Sequence, residues 1–266
     1  MIESTFRLAP GVGPWLEARL WEAGIRRWAD FPPAPAVALS PGVDERIRAA
    51  IAIARAALGE GDAEALAALL PRDERWRLYP AFAGQAAFLD VEVVGEELVC
   101  VGLLDREGPR LLLAGRDLAL FPEVARGWKL LVTYNGLAFD VPALRRAFPA
   151  WRPPRAHVDL CRLWRRLGHA GGLKLLEESV GVARPPHVRR LTGRDAGRLW
   201  RAHQGGDGAA LRLLAEYNLL DAAHLRTLMG LGYNRMVERL RLPAGPIPVS
   251  EPGDVRYDLT RLLLSL

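Results

Sequence analysis

The chain has 266 residues, 50% of them hydrophobic and 25% charged, with a formal net charge of +5 and a pI near 9.7. That length supports one sizeable core or a core with a small appendage, and the two cysteines, Cys100 and Cys161, form no CxxC pair, which excludes a disulfide framework and a cysteine-based zinc module. The N-terminus lacks a basic-then-apolar leader and no run approaches a membrane span, so the expectation is a soluble, cytoplasmic protein with no membrane partner.

In chain order, residues 1–31 read as two short helices around "PGVGP", and 32–42, "PPAPAVALSPG", as a proline-rich linker. Residues 43–84 are helical in character, from "ERIRAAIAIARAAL" and "AEALAALL" to the irregular "PRDERWRLYPAFAG". From residue 85 the pattern changes. "AAFLDVEVV" and "LVCVGLLD" predict strands, and "REGPR" predicts a turn into "LLLAG", together an antiparallel meander. "LALFPEVARG" then predicts a helix, "WKLLVTYNG" an apolar strand, "VPALRRAF" a helix and "AHVDLC" a short strand. Helical period holds over residues 160–240, and the loop-like "PAGPIPVSEPGD" leads to a short apolar end at 259–266. The expected divisions are 1–31, 32–84 (linker and helices), 85–242 (the main domain) and a tail at 243–266. A meander followed by strands alternating with helices is a mixed α/β pattern. It is compatible with a ribonuclease-H-like mixed five-stranded sheet flanked by helices, with a small helical N-terminal region.

Lys129 and Lys174 are the only lysines, so the basic charge is almost wholly arginine. The planar guanidinium suits phosphate, which points to nucleic acid; a genome rich in arginine codons gives the same composition. Within "AFLDVEVVG", Asp90 and Glu92 are two apart and project from one face of a strand. "TYNGLAFDVPAL" places Asp140 at a strand–helix junction, where it also has the position of an N-cap. "YNLLDAAHL" sets Tyr217 and Asp221 one helical turn apart. Four carboxylates gathered by a sheet repel one another, and hard divalent cations such as magnesium or manganese relieve the repulsion. No HExxH, GxSxG or Walker loop offers a competing site.

"FLDVEVVG", "YNGLAFDVPAL" and "YNLLDA", in this order, resemble the three exonuclease motifs of the DEDD superfamily in its tyrosine (YxxxD) form. The best match is the bacterial YprB-like branch of ribonuclease-H-like 3′–5′ exonucleases, and the similarity extends to "GGLKLLEESVGVARP" and "PRDERWRLYPAF". The resemblance implies that Asp90, Glu92, Asp140 and Asp221 bind two divalent cations, Mg²⁺ or Mn²⁺, and that Tyr217 positions the attacking water. It implies that Asn135 helps hold the second motif. The implied activity is 3′–5′ hydrolysis of single-stranded nucleic acid ends, DNA before RNA. A structure-specific endonuclease or ribonuclease on the same fold, or a non-catalytic binding protein, are the alternatives. One departure is Val93, where the family usually has threonine; its side chain is expected on the face opposite Glu92.

"LAPGVGPWLEARLWEAGIRRWADF" resembles a helix–hairpin–helix element, in which Gly11 and Gly13 allow a tight turn and backbone N–H groups bind a phosphate. The same stretch also reads as a hairpin that only packs through Trp15, Leu16, Leu20 and Trp21. His157 and Asp159 read either as support for the metal ligands or as the polar face of a strand, and His224 as a partly exposed helix residue. Arg189, Arg190 and Arg194 form a basic loop, and Trp151, Trp164 and Trp200 are expected in the core.

Overall fold

The computed structural model describes residues 2–33, 39, 41–250 and 262–263. Part of the proline-rich linker and most of the apolar end at 259–266 lie outside the described residues.

Strand β1 (Ala86–Val94) alternates between two apolar layers: Phe88 and Val94 meet one, Leu89, Val91 and Val93 the other. It pairs antiparallel with β2 (Glu97–Asp105), which pairs antiparallel with β3 (Gly108–Leu113), so the expected meander is present. The β1–β2 register shifts between Glu92 and Val93, where Glu92 opposes Cys100 and Val93 opposes Leu98. On its other side β1 runs parallel to β4 (Leu130–Thr133), and β4 parallel to β5 (His157–Asp159). The order β3-β2-β1-β4-β5 is a five-stranded mixed sheet flanked by helices.

Four helices precede the sheet: α1 (Pro14–Glu22), α2 (Pro41–Gly59), α3 (Ala63–Leu69) and α4 (Tyr79–Phe82). The short α5 (Phe121–Val124) follows β3, and α6 (Asp140–Ala147) joins β4 to β5. After β5 come α7 (Leu160–Arg166), α8 (Leu173–Val180), α9 (Pro186–Arg189), α10 (Gly193–Gln204) and α11 (Gly208–Leu240). The Asp207 side chain caps α11 by accepting from the N–H groups of Ala209 and Ala210. At 33 residues, α11 is about 50 Å long, and it lies across β1 and β2 with Leu214, Ala215, Leu219 and Ala222 buried. None of the helices of the described residues is long and apolar enough to cross a membrane.

Two local expectations change. "LALFPEVARG" is not one helix: single 3₁₀ turns flank the four-residue α5. Phe121 is pinned there by the rings of Trp128, Phe148 and Trp151, with centroids 5.9, 5.2 and 5.1 Å away, and tertiary packing overrides helical propensity. The N-terminal 31 residues contain one α-helix rather than two, since Ile2–Ser4 and Trp28–Asp30 are 3₁₀ turns. The reason is the buried Glu17 carboxylate, whose Oε1 accepts from the Thr5 hydroxyl (2.7 Å) and from the N–H groups of Phe6 (2.8 Å) and Arg7 (3.2 Å). Those donors are thereby taken from any helix over residues 2–9.

Glu17 also anchors the region. Arg77 donates to both its oxygens (3.1 and 3.0 Å) and, through Nε, to Glu74 (2.7 Å), which in turn meets Arg166 of α7 (3.1 Å). The apolar layer is continuous as well, running from Ile2, Phe6 and Trp28 to Trp76, Trp164 and Tyr233. Trp164 and Trp200 sit in that layer and Trp151 in the other, as core tryptophans.

Candidate active site

β1 turns Asp90 and Glu92 toward the face covered by α11, and α11 turns Tyr217 and Asp221 back toward them. Asp90, Glu92 and Asp221 each offer a carboxylate oxygen, all within 4.8 Å of one another. Asp140 opens α6, after the turn that leaves β4, and its Oδ1 accepts from the Val91 N–H at 3.1 Å. It is the first helical residue and Phe139 is the N-cap, so the carboxylate does not cap α6 from the N-cap position. Tyr217 is buried beside the acids, and the Lys174 ammonium lies 4.6 Å above its ring.

The electrostatics follow from this crowding. Were they all ionised, two carboxylates at the 4.8 Å outer limit of this cluster would repel by about 3–4 kcal/mol at an effective dielectric constant of about 20. Three such pairs rival the whole stability of a domain, roughly 5–15 kcal/mol. Desolvation, then the charges of Asp221, Asp140 and Glu92, push Asp90 well above the usual carboxylate range. Burial and the charges of Asp221 and Asp140 raise Glu92 to about 8. Burial raises Asp140 to about 7, although the N–H groups of Asp140 itself and of Val91 oppose the rise. Asp221 is raised by burial too, against the pull of Arg184. Burial, then the charges of Asp221, Glu92 and Asp90, push Tyr217 upward, so its hydroxyl is a neutral donor. An all-oxygen set short of positive charge fits a hard divalent cation.

Residues 114–233 match the family model RNase_H_2, of the RNase H superfamily. The fold is ribonuclease-H-like. The match takes in Asn135, Asp140, Tyr217 and Asp221, while β1 with Asp90 and Glu92 precedes it; the sheet supplies the connection. No curated protein and no solved structure gives a match. A ribonuclease-H-like domain points to chemistry on nucleic acid, and nucleases of this fold use divalent metals, with which the Asp90–Glu92–Asp221 cluster is compatible.

Several residues that support the carboxylate cluster carry no motif in the sequence. Asn218, next to Tyr217 and fully buried, donates from Nδ2 to Asp90 Oδ2 at 2.7 Å. Its amide fits because β2 has Gly102 opposite Asp90: a Cβ there would lie 2.2 Å from Asn218 Oδ1. Gly102→Ala therefore forces Asn218 aside and releases Asp90. The expected results are a 10–100-fold loss of divalent-cation affinity in calorimetric titration and a destabilisation of about 1–3 kcal/mol in denaturant melts. Unchanged cation binding would show that Asn218 does not hold the ligand.

Asp159, at the end of β5, shapes the turn between β4 and α6: Oδ1 accepts from the N–H groups of Asn135 (2.8 Å) and Cys161 (3.1 Å), and Oδ2 from that of Leu137 (3.3 Å). Asn135 itself is exposed in a left-handed conformation (φ 60°), and Gly136 packs against Thr133. His157 faces the Thr133 hydroxyl at 2.8 Å.

Arg184 reaches Asp221 with Nη2 in a close ion pair and clasps Glu177 of α8 with Nε and Nη2. His224 is buried, not partly exposed, because α11 is enclosed there and its Nδ1 lies 3.0 Å from Glu177 Oε1. Burial pushes Glu177 up, but hydrogen bonds with His224 and Arg184 more than offset it, and the group stays below its ordinary value.

Val93 packs in the layer opposite Glu92, on the side the sequence predicts. Gly11 (φ 90°) and Gly13 (the N-cap of α1) lie in the N-terminal turn, where the Arg46 Nε donates to the Pro10 carbonyl at 2.9 Å. Trp15 is 70% exposed, while Leu20 is buried and Leu16 and Trp21 are partly so. Arg189 pairs with Glu178, and Arg190 and Arg194 are exposed.

Proposed function

We propose that the protein is a metal-dependent 3′–5′ exonuclease acting on single-stranded nucleic acid, DNA before RNA. The observation that carries the reading is the convergence of Asp90, Glu92 and Asp221 within 4.8 Å, with Asp140 of α6 outside that triplet but hydrogen-bonded to Val91, the residue between Asp90 and Glu92. These four residues would hold two Mg²⁺ or Mn²⁺ ions. When bound, such ions polarise the scissile phosphate and make a bound water acidic enough to attack.

The chain's own groups do the rest. Asn218 fixes the Asp90 carboxylate, and Arg184 fixes that of Asp221. Tyr217, kept protonated by its surroundings, orients the water by hydrogen bonding instead of removing its proton. Leu137 and Phe139 are exposed on the turn ahead of Asp140, Phe139 by 52%, and offer apolar surface on which a terminal base can stack. Asn135 on the same turn is available to the terminal nucleotide. The N-terminal turn at Gly11 and Gly13 is the place for a sequence-independent phosphate contact. A circular single strand tests the reading: linear strands are degraded and the circle is spared, whereas cleavage of the circle assigns an endonuclease.

Cation dependence is also readable without activity. Asp140 at about 7 and Glu92 at about 8 hold protons that the unfolded chain releases near pH 4. The folded state thus binds more protons between these limits, and the contribution of the two groups to stability is present at low pH and lost as pH rises through 7 to 8. In metal-free thermal melts, wild type should lose stability relative to Asp140→Asn on going from pH 5 to pH 8. Manganese should restore it at pH 8, by about 2.7 kcal/mol at a hundredfold excess over Kd. A melting temperature indifferent to manganese at pH 8 would contradict the assignment.

A further inference from the structure

A cavity of about 420 Å³ opens at the edge strand β5, with His157, Val158 and Asp159 in its wall. Six arginines line it: Arg72, Arg75, Arg145, Arg155, Arg162 and Arg166. The acids at its wall are Asp73 and Asp159, and the latter is already taken by backbone N–H groups. Arg166 is paired with Glu74 and Arg155 lies 3.8 Å from Glu64, but Arg72, Arg145 and Arg162 have no carboxylate or hydrogen-bond partner among the described residues.

The arginines feel one another. Burial, then Arg72 and Arg155, lower Arg75. Burial, then Arg75 and Arg162, hold His157 on the cavity floor near 4, so it stays neutral and adds no charge. A surface that is merely solvated disperses like charges; here they converge on a concavity, where fields are focused.

The cavity and the carboxylate site share one stretch of chain, residues 137–141. Leu137 and Val141 line the cavity, and Val141 follows Asp140 on α6. β5 is two strands from β1 in the sheet, about 10 Å at roughly 4.8 Å per strand, well within reach of a short piece of single strand. We infer that this arginine-rimmed cavity binds phosphates of the substrate strand a few nucleotides away from the cleaved end. The inference rests on the nucleic-acid reading above and adds the path of the strand to it.

The test uses the full chain in chelator, so that nothing is cleaved, with a fluorescein-labelled oligothymidylate and anisotropy read over a salt series. Arg145→Ala/Arg162→Ala, at two residues with no hydrogen bond or ion pair to the carboxylates, should lose two phosphate contacts. At about 0.15 M salt the oligomer then binds about tenfold more weakly, and the slope of log K against log salt becomes shallower by about 1.4. With manganese restored, the variant should still hydrolyse a dinucleotide at the wild-type rate. Unchanged affinity and slope would overturn the inference. So would saturable binding of a nucleoside triphosphate that needs these arginines while the oligomer ignores them. If wild type hydrolyses nothing yet binds the oligomer through these arginines, the cavity stands and the exonuclease reading falls.

Discussion

Asp90→Asn is expected to abolish cation-dependent nucleotide release while making the metal-free protein harder to unfold. The two effects have one cause. Asp90 is raised well above the usual carboxylate range by desolvation and by the charges of Asp221, Asp140 and Glu92, so the metal-free fold has to bear either a crowded charge or the cost of protonating it. Asparagine keeps an acceptor for the Asn218 amide, which lies 2.7 Å from Asp90 Oδ2, and removes that charge. Relief at such a functional site is worth about 0.5–2 kcal/mol, or roughly 2–8 °C for a domain of this size. Activity should fall on the order of a thousandfold or more, as when a group that holds transition-state charge is deleted. Melting with and without manganese separates the halves: the variant should start higher and gain less. A variant that loses activity and stability together would mean that Asp90 serves the fold.

Arg184→Leu should be the most destabilising single change in the site. The Arg184 side chain is 3% exposed, between Glu177 at 1% and Asp221 at 9%. Removing the cation leaves two buried carboxylates without their partner, a loss of about 3–5 kcal/mol, or on the order of 10 °C in melting temperature. Lysine is a poor substitute, because Arg184 holds Glu177 with Nε and Nη2 while Nη2 also meets Asp221, and an ammonium has no second, rigidly held donor. Two further results identify the cause as charge. Glu177→Gln added to Arg184→Leu should cost less than the sum of the separate changes, and manganese should stabilise the variant more than wild type by supplying the missing positive charge near Asp221. A midpoint within a degree of wild type would show that Asp221 needs no such partner.

The site was legible where chemistry and backbone period coincide. Asp90 and Glu92 stand two apart on a strand and Tyr217 and Asp221 four apart on a helix, so local geometry alone predicts their facing. Asp140 was placed at the right junction but given the wrong local partner, because an acid at a helix start normally caps it and here the Val91 N–H, forty-nine residues away, takes the oxygen. Asn218, Gly102, Glu177 and Arg184 escaped for a different reason. Their roles exist only through long-range packing: Gly102 matters because Asn218 crosses above it, and Arg184 because α8 brings Glu177 beneath α11. Likewise the helix expected ahead of "PGVGP" does not form, because the buried Glu17 captures backbone donors ten and eleven residues upstream. The arginine cavity is similarly silent in sequence, its side chains coming from segments spread over residues 72–166.

The most direct measurement is a time course of a 5′-labelled single strand on a denaturing gel, with manganese, with magnesium and with chelator, for wild type and Asp140→Asn. The account predicts a ladder receding one nucleotide at a time from the 3′ end with wild type and either cation. It also predicts an intact strand in chelator and an intact strand with Asp140→Asn. A strand left whole by wild type under every cation, or one that Asp140→Asn degrades at the wild-type rate, would contradict it.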